Sequence, residues 1–160
     1  MAFTQWDAST GTMKAGQIKR VSESTNKTWG ETNQSGVDLA SGTFVAMSAD
    51  GGVTKIAKNT DIVHGIIVRG VYGDKCPADQ IVDVGHFSHG DEVVALAVSG
   101  VSFKRGEPAY IVATGSDVGK VTNVAENCID LGYWVTEVSS GNSTVAITLG
   151  FIQTPIGGGA

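Results

Sequence analysis

The sequence predicts an all-β protein, with a body built from two similar halves and an extended N-terminal arm. Apolar residues alternate in short segments: across 145–149, Val, Ile and Leu fall on one face and Ala and Thr on the other. Glycine is abundant, at 22 of 160 residues, among many Val, Thr and Ile, which is typical of short strands joined by tight turns. A faint internal repeat indicates that the strands form two similar sets.

The repeat consists of three pairs of segments that correspond in order along the chain. The pairs are 42–57 with 106–125, 62–68 with 129–135, and 94–98 with 145–149. The spacing between partners is irregular, so the two halves differ in their loops, mainly at residues 70–92 of the first half. If one half has a special contact surface, it is expected there.

Nine strands are predicted within the body from period and turn signals. They are 43–48, 52–57, 62–69, 81–87, 91–99, 109–113, 119–124, 131–138 and 143–151. Residues 50–52 (Asp-Gly-Gly) are the strongest hairpin signal. The segment 93–98 is apolar on both faces and is expected to be central in a sheet, and residues 123–130 could form one short helical turn.

Three regions are predicted: an extended arm at 1–40, a β-rich body at 41–154 and a flexible tail at 155–160. The arm has no sustained period but carries large apolar side chains, which disordered linkers usually avoid. We predict that Phe3, Trp6, Ile18 and Trp29 are anchors that bind a partner's surface. The alternative is that the arm folds back as an edge strand on its own body.

Charge and targeting signals exclude several classes of protein. The net charge is −5; the arm is neutral, and residues 41–160 hold 7 basic and 12 acidic groups, which disfavours nucleic-acid binding. The N-terminus lacks the features of a signal peptide, and no apolar stretch has the length of a membrane span. We expect a soluble protein made in a reducing cytoplasm, with Cys76 and Cys128 as free thiols.

Motifs for catalysis or cofactors are weak. His86 and His89 have a His-x-x-His spacing, but a zinc site needs further ligands, for which Asp83, Asp91 and Cys76 are the nearest candidates, and a polar loop is expected instead. Residues 115–120 resemble a phosphate-binding loop but have three residues between the glycines where that loop needs four, so a turn is expected. The sequence predicts no enzyme, no catalytic residue, no metal and no cofactor.

The phrases Ser-Gly-Thr-Phe-Val-Ala-Met-Ser-Ala-Asp-Gly-Gly-Val-Thr-Lys (41–55) and Ile-Val-His-Gly-Ile-Ile-Val (62–68) resemble the decoration, or structural cement, proteins of tailed-bacteriophage capsids. Later phrases at 106–111 and 131–137 also fit that pattern, so the resemblance covers residues 40–151. It implies a β-barrel or β-tulip body, a homotrimer and a position on the virion capsid surface. It also implies binding to the major capsid protein, so that neighbouring subunits are cemented and the capsid is stabilised.

Two other classes of function stay open. A carbohydrate- or receptor-binding β module would need exposed aromatics, for which Tyr72, Tyr110, Tyr133 and Trp134 are candidates, and alternation requires Tyr133 or Trp134 to face inward. A β-barrel enzyme would place His86, His89 and Asp91 near a cleft.

Overall fold

The computed structural model describes residues 13–21, 27–139, 141 and 143–150. Within these residues the chain forms thirteen β-strands and no helix, so the all-β prediction is confirmed. The strands are β1 (Ile18–Arg20), β2 (Thr28–Thr32), β3 (Leu39–Ala40), β4 (Phe44–Met47), β5 (Val53–Thr54), β6 (Val63–Ile67), β7 (Lys75–Cys76), β8 (Ile81–Gly85), β9 (Glu92–Leu96), β10 (Pro108–Val112), β11 (Val121–Thr122), β12 (Cys128–Val138) and β13 (Thr144–Leu149). All nine predicted strands are present.

The first half of the protein is a curled antiparallel sheet in the order β2-β8-β6-β4-β5, which we call unit 1 (residues 28–85). The two ends of this order meet, because Asn33, directly after β2, forms a parallel bridge with Val53 in β5. The amide of Gln34 also donates to the Val53 carbonyl at 2.8 Å. Unit 1 is therefore barrel-like and closed at this bridge.

The second half, unit 2 (residues 92–149), has the order β9-β13-β12-β10-β11, with β1 added on the outer side of β9. Its ends meet in the same way. Ala97, directly after β9, forms a parallel bridge with Val121 in β11, and the Val98 amide donates to the Val121 carbonyl at 2.9 Å. The prediction that residues 93–98 are central is confirmed, because β9 lies between β1 and β13.

The two units have the same order of strands, which confirms a barrel-like fold of two similar halves. β9 begins 64 positions after β2, and β10 begins 64 positions after β4. The pairing corrects one detail of the predicted repeat: segment 94–98 does not end the first half but opens the second, and pairs directly with β13. The counterpart of β9 in unit 1 is β2, and that of β13 is β8.

The units also differ where the sequence predicts it. Unit 1 carries an additional two-stranded sheet of β3 and β7, and β7 lies in the 70–92 region. Nothing in the described part of unit 2 corresponds to it. The possible helical turn at 123–130 is wrong: β12 begins at Cys128, and the turn before it contains Asn127 in a left-handed conformation with φ of 56°.

One large core joins the two units. Phe44, from unit 1, is 2% exposed and packs against Tyr133 of unit 2 with ring centroids 5.3 Å apart. Ile66 from unit 1 and Ile147 from unit 2 belong to the same cluster and are fully buried. Because the units share this apolar core, they are held as one rigid body. A second cluster, which includes Val53 and Val84, lies within unit 1 alone.

Residues 1–40 contribute β1, β2 and β3 in their described part. β2 is an edge strand of unit 1, and β1 is an edge strand beside unit 2. For these two segments, the alternative that the arm folds back as an edge strand on its own body is therefore correct. The division into arm, body and tail stays a prediction. The predicted tail, 155–160, lies outside the described residues.

Candidate partner-binding surface

The outer side of β2 carries an exposed tryptophan supported by two histidines. Trp29 is 53% exposed, although it is large and apolar. Its ring lies on His86, with centroids 4.1 Å apart, and meets His64 edge-on at 5.8 Å. The two histidine rings contact each other at 4.8 Å. Trp29 therefore presents an open face that is held in a fixed position, which is a common property of binding anchors.

The two histidines that support Trp29 have different surroundings. Burial, and secondly the neighbouring His64, lower the pKa of His86. Both ring nitrogens of His86 are buried and have no hydrogen-bond partner within the described residues. His64 differs, because its Nε2 lies 3.2 Å from Oε1 of Glu31 on β2. Trp29 thus rests on a ring whose polar atoms are buried and make no hydrogen bond within the described residues.

The predicted anchors fall in different places. Ile18 lies in β1, pairs with Val93 and packs, partly buried, against the shared core. Trp29 faces outward, as described above. Phe3 and Trp6 lie outside the described residues. The structure therefore does not bring the four together, and their binding to a partner stays a prediction.

The histidine and aspartate residues considered for an enzyme have structural contacts. The Nε2 of His89 lies 3.0 Å from the carbonyl oxygen of Gly150. Asp91 is 1% exposed, accepts hydrogen bonds from the amide and hydroxyl of Ser88, and lies 3.3 Å from the Lys27 ammonium. Among the residues that the structure describes, no group of three or more His, Cys, Asp or Glu is arranged to hold a metal. These contacts fix the loop between β8 and β9.

The phosphate-loop candidate is a turn, as predicted. Residues 115–120 connect β10 to β11, and the Lys120 ammonium donates a hydrogen bond to the Asp117 carboxylate at 2.7 Å.

Both cysteines are free thiols; Cys76 is buried and Cys128 is partly buried. The described part of the chain contains no helix with the length and apolar character of a membrane span.

The aromatic candidates for a carbohydrate-binding module are divided between the two units. Tyr133 is 7% exposed and Trp134 is 41% exposed, so the predicted alternation is confirmed. Burial, and secondly Asp91, raise the pKa of Tyr133 to about 12. Tyr72, in unit 1, is exposed and its hydroxyl donates to the Gln80 side chain at 3.1 Å.

Two barrel-like units of the same strand order, joined by a common core, define an all-β protein of two similar halves. Residues 3–149 match the family model of the XM1 gp53 minor capsid protein. The chain belongs to this family. It is therefore a structural component of a phage virion, associated with the capsid.

A solved structure has the same fold. A chain described under "The capsid of Myoviridae Phage XM1" superposes with a TM-score of 0.66 at 19% sequence identity, covering 86% of this chain and 89% of that one. No curated protein matches the sequence.

Proposed function

We propose that the protein binds the outer surface of the phage capsid as a homotrimer and cements neighbouring major capsid protein subunits. Membership of a minor capsid protein family over residues 3–149 is the observation that carries this proposal. It involves no catalysis, no cofactor and no nucleic acid. Synthesis in the host cytoplasm, before attachment to the virion, is part of the same proposal.

The rigid body supports a cementing role. Phe44 and Ile147 belong to one buried cluster, so the two units cannot hinge without opening the shared core. A protein that joins two capsid subunits resists their separation only if it is stiff between its points of contact. The common core supplies that stiffness.

The start of the described chain supports a contribution from the N-terminal residues. Met13 is buried with Val94 and Ala146, and its carbonyl accepts a hydrogen bond from the Thr144 hydroxyl at 3.0 Å. Residues 1–12 are thus joined to a fixed point on unit 2. We propose that Phe3 and Trp6 within them bind the capsid, together with Trp29, and that Ile18 holds β1 in place.

Co-sedimentation with shells that lack this protein tests the proposal. Deletion of 1–30 is a poor test, because it removes β1 and most of β2 and so damages both units. Deletion of 1–12 leaves every described strand in place and should reduce shell binding at least tenfold. The double variant Phe3→Ala with Trp6→Ala should reproduce the loss.

Exposed Val71 provides the matched control, because it is 95% exposed and Val71→Ala removes an apolar surface group of unit 1 outside the proposed anchors. This control should bind shells normally. Sedimentation equilibrium of the free protein should give the mass of a trimer. A monomer that fails to bind shells contradicts the proposed function.

A further inference from the structure

The outer edge of β9 in unit 2 is covered by β1. Val94 of β9 exchanges two backbone hydrogen bonds with the residues directly before β1: its amide donates to the Gln17 carbonyl at 2.9 Å, and its carbonyl accepts from the Gly16 amide at 2.8 Å. The first strand of unit 2 is thereby converted from an edge strand into an interior strand.

The corresponding edge of unit 1 is open at Gly30, which lies 64 positions before Val94 in the matching strand β2. The His86 amide donates to the Lys27 carbonyl and the Asn33 amide donates to the Gln80 carbonyl, so the odd-numbered residues of this segment bond to β8. By alternation, the amide and carbonyl of Gly30 point away from β8. Gly30 is exposed, and its backbone makes no hydrogen bond within the described residues.

Charges beside this edge favour a basic strand. Asp83 lies directly opposite Gly30, is exposed and has no ion-pair partner in the described part of the chain. Glu31 follows Gly30 and keeps a partly exposed carboxylate beside His64. The covered edge shows the same complementarity, because Lys19 of β1 contacts the carboxylates of Glu92 and Glu137.

We propose that the β2 edge at Gly30 receives an antiparallel extended strand from a partner protein, with Lys or Arg beside its central β-branched residue. β1 shows this pattern, because Ile18 is followed by Lys19 and Arg20. Backbone hydrogen bonds to Gly30 supply affinity, and the acidic side chains select the basic strand. Trp29, exposed one residue before Gly30, offers an apolar face to the same strand.

A synthetic peptide with the sequence of residues 14–21 (Lys-Ala-Gly-Gln-Ile-Lys-Arg-Val) is the probe, because its source segment covers the matching edge. Binding is followed by NMR on the full-length protein labelled with nitrogen-15. The Gly30 amide signal should shift with peptide and its exchange with solvent should slow. A peptide with Glu in place of Lys and Arg should bind about tenfold more weakly.

The decisive pair of variants is Gly30→Pro and Gly30→Ala. Proline removes the outward N–H, which the fold does not use, and is tolerated on the outer side of edge strands. Alanine adds a Cβ near the exposed Ile81 but keeps that N–H. Gly30→Pro should lose about tenfold in peptide affinity relative to Gly30→Ala, with thermal unfolding of both variants checked in parallel.

Equal affinity of the two folded variants would overturn the proposal. So would a shift of the Gly30 amide on dilution without peptide, because a second copy of the chain would then cover the edge. The inference rests on the proposed function only for the source of the strand. Peptide binding is measured without shells, so its failure is separate from a failure to bind the capsid.

Discussion

The closure of unit 1 depends on a close approach at Gly52, and substitution by alanine tests it. Gly52 has φ of +70°, and a Cβ there would overlap the carbonyl oxygen of Thr32. Thr32 ends β2 and is followed by Asn33, which forms the closing bridge to Val53. Gly52→Ala therefore adds a backbone strain and pushes the two ends of the sheet apart.

Gly51 is the matched control in the same hairpin. It has φ of +92°, but nothing lies within 4 Å of a Cβ placed there. Gly51→Ala should cost only the left-handed strain, about 1–2 kcal/mol. Gly52→Ala should add about 1–3 kcal/mol for the overlap, so that its total loss is roughly 2–5 kcal/mol.

Thermal and urea unfolding measure the two losses. For a chain of this size, about 1 kcal/mol lowers Tm by roughly 2–4 °C, so Gly52→Ala should unfold about 10 °C below the parent and Gly51→Ala about 4 °C below it. The amide of Gln34, bonded to Val53, should exchange faster only in Gly52→Ala. Equal losses in both variants would refute the role of the close approach.

Phe44→Ala should cost about 3–5 kcal/mol, because Phe44 is buried between the two units, and unfolding should remain a single transition when fluorescence and circular dichroism are compared. Separate transitions would contradict the shared core. The pKa of His86 lies below its ordinary value of 6.5, so the unfolded chain binds more protons than the folded protein. Stability that is present above pH 6.5 is therefore lost as the pH falls below it. His86→Phe should flatten this dependence in urea titrations at several pH values. Lys27→Met leaves the buried Asp91 without its ammonium and should destabilise the protein by about 3 kcal/mol, whereas Lys58→Met, at an exposed loop position, should have little effect on the urea midpoint.

The sequence predicts the strands of the body well, because most of them alternate or are bounded by glycine turns. It misses β2 as the first strand of unit 1. The segment Trp29-Gly30-Glu31 has no residue type in common with Val93-Val94-Ala95 of β9, although the two segments match in the fold. The residues differ because β9 is buried on both faces at its centre, whereas no residue of β2 is fully buried.

The shortest strands are equally invisible in the sequence. β3 and β7 have two residues each, which is less than one full period of alternation. Their pairing depends on tertiary contacts, such as the Ser41 amide bonded to the Asp74 carbonyl at 2.8 Å. Local pattern cannot show such contacts.

The candidate surface could be predicted only in part. Exposure of Trp29 agrees with its selection as an anchor, but its supports His64 and His86 come from β6 and from the segment after β8. Nothing in the sequence brings these rings together, since 35 and 57 positions separate them from Trp29. The open backbone at Gly30 is found only by comparing the two units.

Fusion of the two units in one chain has a consequence for the symmetry of the surface. Two identical barrels related by a twofold axis would have both of their first-strand edges covered or both open. Here β1 covers the edge of unit 2 and leaves that of unit 1 exposed at Gly30. Each molecule therefore has two unlike edges: a neighbouring chain can add a strand at the open edge of unit 1 and not at the covered edge of unit 2.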